Sequence, residues 1–223
     1  MTPEYLEKTI LFLLKNNYEI VPIGQIQQIL NGDYIRKKFI VFTFDDGYVD
    51  NYLFAYPIFK KYRIPFTVYV TTDFPDNKAI LWWYLLEDLI LKNSQLDFEL
   101  NEKKYRFSCS RFWEKEATYH AIHNLILNGP SEGLRERIRQ IIEKNNINLF
   151  DKTSEISLTW EQIREMHHDP LVEIGAHTIH HNRLNQLSDS MVIKEMEESR
   201  DKIELMTGQK VEHFCYPFGT QNE

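Results

Sequence analysis

Cysteine is scarce in this sequence: two residues, Cys109 and Cys215, stand far apart among 223. They form no CxxC pattern, and two cysteines cannot build the disulfide framework on which many small secreted domains depend. The fold must therefore rest on a buried apolar core. With 43% hydrophobic and 26% charged residues, the chain has the composition of an ordinary globular protein, and its length suits one α/β domain.

Long apolar runs are also missing. The longest early run, Ile10 to Leu14, is flanked by Lys8 and Lys15 and is too short for a membrane span or a signal peptide. We therefore expect no transmembrane segment and a cytoplasmic location for the chain as given, or association with the cell envelope if it is a fragment. The net charge of −7 argues against nucleic acid as a partner. The sequence leaves the oligomeric state open.

Helical and strand patterns alternate along most of the chain, which is typical of a parallel sheet covered by helices. Short runs of β-branched and aromatic residues predict strands at Phe39–Phe44, Phe66–Val70, Leu171–Ala176 and Val211–Tyr216. The first run is continuously apolar, which predicts a strand buried on both faces. Helical spacing predicts helices at Tyr5–Asn16, Ile23–Leu30, Asn51–Tyr62 (bent or restarted at Pro57), Thr159 to just before Pro170, and Ser188–Thr207.

Strand patterns weaken between Asp73 and about Ser157. Helical spacing dominates this stretch, at Leu81–Lys92, Trp113–Leu127 and Glu132–Lys144, and a hairpin is indicated over Phe98–Ser108. We therefore predict a single domain over residues 1–223 in which the sheet carries a mainly helical insertion at about 73–157.

Two adjacent carboxylates, Asp45 and Asp46, follow the first predicted strand and precede Gly47. Like charges at a strand end repel each other and lose hydration, and a bound cation would relieve that cost by taking one carboxylate as a ligand. The other carboxylate would then be free to accept a proton. An exposed Asp-Asp-Gly turn is the alternative, because these residues are also common in turns.

Two histidines, His177 and His181, follow the third predicted strand. One helical turn would place both imidazoles on the same face, within reach of one metal ion, while His180 would point elsewhere. Histidines on a surface helix that bind nothing are the alternative. Because loops after the carboxyl ends of parallel strands build the active sites of such folds, the histidines and the aspartates are expected to converge.

A sharp turn, Tyr216-Pro217-Phe218-Gly219, follows the fourth predicted strand. It either directs backbone N–H groups into a neighbouring pocket or merely ends the strand. Cys215 at its start fits an ordinary buried cysteine better than a catalytic nucleophile.

Together and in this order, the three clusters resemble the motifs of the polysaccharide deacetylases, a carbohydrate esterase family also described as the NodB homology domain. The segment from Thr43 to Gly47 is similar to the first family motif, the segment from His177 to His181 to the second, and the segment from Cys215 to Gly219 occupies the place of the third. The resemblance implies an α/β fold with a distorted (β/α)7-type barrel that is incomplete in this chain. It also implies a metal-dependent hydrolase that removes acetyl groups from N-acetylated or O-acetylated sugars of a polysaccharide.

By the same resemblance, Asp46, His177 and His181 would bind one divalent metal ion, and Asp45 would be the general base. Zinc is expected first, with cobalt, nickel or iron as alternatives. Two histidines and one aspartate leave open positions on such an ion, as hydrolysis requires. Substrate contacts and the N–H donor to the oxyanion are expected in the third cluster, at Tyr216, Pro217 and Phe218.

The sequence departs from the family pattern in two places. Cys215 stands where the third motif usually begins with an arginine that orients the base, and a thiol cannot replace a guanidinium group. The later motifs, which include a Leu-x-x-His segment that supplies the general acid, would lie beyond Glu223, so a truncated chain is expected. Two alternatives therefore stay open: an amide hydrolase or deformylase acting on a non-polymeric substrate, and a catalytically inactive relative that binds glycans.

Overall fold

A computed structural model describes residues 1–32, 38–128, 133–142 and 147–219, with only the backbone of residue 151. The chain divides into two compact units. The first, here called the sheet unit, comprises residues 1–76, 156–184 and 188–223, and the second, the inserted unit, comprises 77–155 and 185–187. The single domain over residues 1–223 stays a prediction.

Helices and strands largely alternate in the sheet unit, as the sequence pattern indicates, whereas helices predominate in the inserted unit. In chain order they are α1 (Pro3–Lys15), β1 (Glu19–Ile20), α2 (Ile26–Leu30), β2 (Phe39–Ile40), β3 (Thr43–Phe44), α3 (Tyr56–Tyr62), β4 (Phe66–Val70), α4 (Trp82–Lys92), β5 (Gln95–Leu100), β6 (Lys103–Ser108), α5 (Phe112–Leu127), α6 (Leu134–Ile142), α7 (Asp151–Ile156), α8 (Trp160–His167), β7 (Val172–Ala176) and α9 (Asp189–Thr207). Within the described ranges, no helix is both long and apolar enough to cross a lipid bilayer.

The centre of the sheet unit is a parallel sheet of β3, β4 and β7, with β4 in the middle. Because the three strands run in the same direction, their carboxyl ends share one edge of the sheet. β3 leads to Asp45 at that edge and β7 leads to His177. An α/β fold is confirmed. Over the residues that the structure describes, the strands do not close into a barrel.

The predicted strand Phe39–Phe44 is divided into two strands with different partners. β2 pairs with β1, whereas β3 pairs with β4. The predicted burial on both faces is wrong: the residues of this run are at most partly buried, and Thr43 is exposed. The physical reason is that β3 is an edge strand of the described sheet: no neighbouring strand covers its outer edge, so solvent reaches the side chains beside that edge.

The predicted strand Val211–Tyr216 is reduced to a single parallel bridge between Phe214 and Ala176. Two further backbone bonds hold the segment beside β7: the Ala176 N–H donates to the His213 carbonyl at 2.9 Å, and the Cys215 N–H donates to the Ala176 carbonyl at 3.0 Å. This pairing places the start of the third sequence cluster next to the residue that follows β7.

Pro57 restarts a helix, as the sequence predicts. Asn51–Ala55 forms a π-helical turn, and α3 begins at Tyr56 with the proline in its first turn. A proline lacks the N–H that would continue the preceding helical ladder, so a change of helical form at this point is the expected result.

The inserted unit has its own core, formed by α4, α5, α6 and the β5–β6 hairpin. The strands of the hairpin join through Asn101 and Glu102, whose φ angles of 51° and 62° suit the tight turns that connect such strands. The predicted helices and hairpin of this stretch are confirmed, although the two ends of the predicted helix Glu132–Lys144 lie outside the described residues.

Gly175 on β7 is paired with Tyr69 on the neighbouring strand β4 and lies against its buried ring. A Cβ at this glycine would lie 2.4 Å from the Cδ1 atom of Tyr69 and 3.0 Å from the His213 carbonyl. We therefore expect Gly175→Ala to lower the free energy of unfolding by about 1–3 kcal/mol, as overpacking does. Urea denaturation measures this value.

Gly24→Ala is the matched control, because its Cβ would meet no atom closer than 3.8 Å. We expect this substitution to change the free energy of unfolding by no more than about 0.5 kcal/mol. Equal stabilities of the two variants would contradict the close packing at Gly175.

Candidate metal centre

Asp46, His177 and His181, here called the Asp-His-His cluster, meet at the carboxyl edge of the sheet. The Oδ1 atom of Asp46 lies 3.4 Å from Nε2 of His177 and 3.1 Å from Nε2 of His181. One potential ligand atom from each residue lies within 4.8 Å of the others. Two ligand atoms that each lie about 2.1 Å from a shared tetrahedral ion are about 3.4 Å apart, so the spacing fits a single small cation.

A tight turn after β3 presents Asp46 to the histidines. Asp46 and Gly47 have φ angles of 73° and 92°, a conformation that glycine adopts easily and aspartate only with strain. The Gly47 N–H donates to the Asp45 carbonyl at 2.9 Å, and the Thr71 N–H donates to the Asp46 carbonyl at 3.1 Å. The strained turn is thus held by hydrogen bonds, which is typical of functional positions.

His177 is held in one tautomer by the backbone. Its Nδ1 atom lies 2.8 Å from the Cys215 carbonyl, and because a carbonyl can only accept, Nδ1 carries the proton. In the neutral imidazole, Nε2 therefore has a lone pair that faces the Asp46 carboxylate. Both groups are then hydrogen-bond acceptors, and they repel each other. His177 is only 2% exposed, so water relieves little of that repulsion, whereas a cation shared by the two groups would remove it.

His181 reaches the cluster from a loop, not from a helix. The segment 177–182, here called the histidine loop, has no helical turn, so the predicted helical geometry is wrong. Thr178 and His181 have φ angles of 68° and 57°, and the His181 N–H donates to Thr178 Oγ1 at 3.0 Å. The left-handed backbone bends the loop until the two imidazole centroids are 5.2 Å apart.

The electrostatics of Asp46 favour a cation. Burial raises the pKa of its carboxyl, but hydrogen bonds from His177 and His181, which these rings donate when Nε2 carries a proton, outweigh burial and hold this pKa well below its usual range. Asp46 is therefore ionised at neutral pH. A carboxylate and two imidazole nitrogens are a donor set that suits zinc and related divalent ions, so the residues present fit such an ion.

Asp45 is exposed and is not part of the Asp-His-His cluster. Asp45 is near the Cys215 thiol, whose Sγ donates to the Tyr216 carbonyl at 3.8 Å. Burial raises the pKa of that thiol to about 11, and the charge of Asp45 adds to the effect. The thiol is therefore protonated at neutral pH, which argues against a nucleophilic role for Cys215.

The third sequence cluster lies beside the Asp-His-His cluster. The Phe218 ring centroid is 4.9 Å from that of His181, Tyr216 is exposed and Pro217 is buried. Phe218 has a φ angle of 65°, and its N–H has no acceptor among the residues that the structure describes. The structure thus brings together the residues that the sequence predicts for this site.

Two contacts of the site were not predicted from the sequence. The Arg183 guanidinium stacks on Phe218, with its carbon 4.9 Å from the ring centroid, and Nδ1 of His180 lies 2.7 Å from Oδ2 of Asp73. The hydrogen bond with Asp73 raises the pKa of His180. Asp73 comes after Thr71 and Thr72, which directly follow β4. Its position after this strand could have predicted that it lies near the carboxyl edge of the sheet.

Comparison with known proteins identifies the family. A family model described as polysaccharide deacetylase matches residues 33–223. Over 60 residues, or 26% of this chain, the sequence is 37% identical to the Bacillus subtilis (strain 168) protein YxkH, which its name assigns provisionally to the polysaccharide deacetylases; the match covers 22% of that protein.

Two solved structures share the fold. The Streptococcus pyogenes deacetylase PplD, solved in complex with acetate, superposes with a TM-score of 0.58 at 19% identity over 99% of this chain and 65% of its own. A de-N-acetylase from Aggregatibacter actinomycetemcomitans gives a TM-score of 0.58 at 20% identity over 100% of this chain and 71% of its own. This chain therefore spans about two thirds of the length of these proteins. Since the family model matches most of the sequence, the chain belongs to the polysaccharide deacetylase family.

Proposed function

We propose that this protein is a metal-dependent hydrolase that removes acetyl groups from N-acetylated or O-acetylated sugars of a polysaccharide. The observation that carries the proposal is the convergence of Asp46 with His177 and His181 at spacings of 3.4 and 3.1 Å. Family membership supports the substrate class, and the two structural relatives are named as a deacetylase and a de-N-acetylase.

Asp46 Oδ1 and the Nε2 atoms of His177 and His181 would hold one divalent ion, with zinc as the first choice. When bound, such an ion polarises an acetyl carbonyl and makes water more acidic at neutral pH. The protein prepares this position in advance: the Cys215 carbonyl fixes the His177 tautomer, and the low pKa of Asp46 keeps the carboxylate charged. Less reorganisation is then needed when the ion binds.

Asp45 would act as the general base. It is adjacent to the ligand Asp46 but exposed, so its carboxylate is free to take a proton from the attacking water. The nearby Cys215 thiol would help to orient this carboxylate in place of the arginine that usually begins the third family motif. The proton ends on Asp45, from which it is available to the amine or alcohol that leaves.

The turn at Tyr216, Pro217 and Phe218 would complete the site on the substrate side. The Phe218 N–H is available as a donor to the oxyanion that develops on the acetyl oxygen, a contact whose loss typically costs about 2.7–4 kcal/mol in the transition state. The exposed rings of Tyr216 and Phe218 offer apolar surface to a sugar.

We further propose that residues 1–223 belong to one deacetylase-like domain and that the β3–β4–β7 sheet is part of a distorted (β/α)7-type barrel. The parallel bridge between Phe214 and Ala176 supports this arrangement, because it adds a fourth parallel segment beyond β7.

Acetate release from chitin oligomers and from O-acetylated glycans tests the proposed function. We expect release by the purified protein, its loss after metal is removed with a chelator, and its recovery on addition of zinc, cobalt, nickel or ferrous iron. The same assay with formamides and cyclic amides separates the alternative of an amide hydrolase. Bound metal near one ion per chain without acetate release from any substrate would favour the inactive, glycan-binding alternative.

A further inference from the structure

We propose that Glu195 is a positioning residue of the metal centre: it holds the histidine loop in the shape that brings His177 and His181 to one ion. The inference rests on the proposed function. Glu195 lies on α9 and is only 1% exposed. A buried carboxylate is costly unless hydrogen bonds compensate for the lost hydration, so its partners indicate its role.

Within the described ranges, Glu195 makes its hydrogen bonds to the histidine loop. Its Oε2 atom accepts hydrogen bonds from the Ile179 N–H at 2.8 Å and the His180 N–H at 3.1 Å. Its Oε1 atom lies 3.5 Å from Nδ2 of Asn182. The two amides belong to residues between His177 and His181, so one carboxylate organises the backbone that connects the two metal ligands.

The opposite side of the loop is held by the segment that follows β4. Thr71 Oγ1 donates to the His177 carbonyl at 2.9 Å, and the Thr72 N–H donates to the Thr178 carbonyl at 3.2 Å. The carbonyl groups of His177 and Thr178 are therefore satisfied by the segment that follows β4, and the amides of Ile179 and His180 by Glu195. The loop is fixed from two sides.

The histidine loop needs this support because its backbone is strained. Thr178 and His181 have positive φ angles, and a β-branched residue such as Thr178 rarely adopts them. Removal of the Glu195 acceptor would leave two amides without partners. The loop would then relax toward a less strained conformation, which would move Nε2 of His181 away from the Asp46 carboxylate.

Three substitutions at this position separate geometry from charge. We expect Glu195→Ala to weaken zinc binding by about 10–100-fold, the effect typical for loss of a group that orients a metal ligand. Glu195→Asp keeps the charge but shortens the side chain by one methylene group, and we expect zinc binding to weaken by about tenfold or more. Glu195→Gln keeps an acceptor at full length, so its affinity should stay within about threefold of the wild type.

Zinc affinity is measured by competition with a chromophoric chelator. Amide hydrogen exchange of Ile179 and His180 in the metal-free protein gives a second readout, with loss of protection expected in the Ala and Asp variants alone. Glu198→Ala is the control, because this neighbouring acid on α9 is exposed. If the Ala variant does not fold, the Asp and Gln pair decides.

Wild-type zinc affinity in Glu195→Asp, or weaker binding in Glu195→Gln than in Glu195→Asp, would overturn the proposal. Absence of zinc binding by the wild type would instead overturn the proposed function, and hydrogen exchange in the metal-free protein would still show whether Glu195 fixes the loop.

Discussion

Replacing Asp45 with asparagine is expected to reduce the turnover number for acetate release by about 10²–10⁴-fold, the usual contribution of a general base. The amide has nearly the shape of the carboxylate but cannot take a proton from water. Since Asp45 is exposed and lies outside the Asp-His-His cluster, the metal content should stay near one ion per chain. Steady-state kinetics with a chitin oligomer and metal analysis of the same sample test both statements.

The control for this experiment is Asp50→Asn, the same chemical change at another exposed aspartate of the sheet unit. It should leave turnover and metal content unchanged. Unchanged turnover in Asp45→Asn would exclude Asp45 as the base. A loss of metal in that variant would instead make Asp45 a ligand, which would reverse the roles assigned to the two adjacent aspartates.

The order of the clusters along the chain was sufficient to predict that Asp46, His177 and His181 meet at one edge of the sheet. Asp46 and His177 follow strands that run in parallel, and strands of this kind bring their carboxyl ends to one edge. This rule does not depend on the conformation of the loops, so the convergence could be predicted although the helical geometry proposed for His177 and His181 was wrong.

The loop geometry could not be predicted because the forces that shape it come from distant residues. Thr178 and His181 adopt positive φ angles against their local preferences. Hydrogen bonds that Thr71 and Thr72 donate and that Glu195 accepts compensate for this cost. No pattern within the six loop residues 177–182 indicates these distant partners. The divided strand Phe39–Phe44 has a similar cause, since the change of pairing partner depends on β1 and β4.

Asp46→Asn is expected to have the largest effect on metal binding. An amide oxygen is neutral and is a weaker ligand than a carboxylate. Loss of the Asp46 carboxylate therefore leaves only His177 and His181 as strong donors. We expect the zinc affinity to fall by more than the roughly 10–100-fold that is typical when a residue supporting a ligand is removed. Competition with a chromophoric chelator measures the affinity, and His120→Asn, at an exposed histidine of α5, is the control.

The two aspartate variants should respond differently to added zinc. Binding to the folded state alone stabilises a protein by about 2.7 kcal/mol when the free ligand is 100 times its Kd. At a zinc concentration of this kind, the melting temperature of Asp45→Asn should rise as in the wild type, whereas that of Asp46→Asn should not. Excess zinc should also restore part of the turnover of Asp46→Asn, because only the occupancy of its metal site is impaired. It should restore none of the turnover of Asp45→Asn, because the defect of that variant lies in proton transfer.

Equal zinc affinity in Asp46→Asn and the wild type would mean that the ion is held elsewhere, and the assignment of the metal centre would then have to be abandoned.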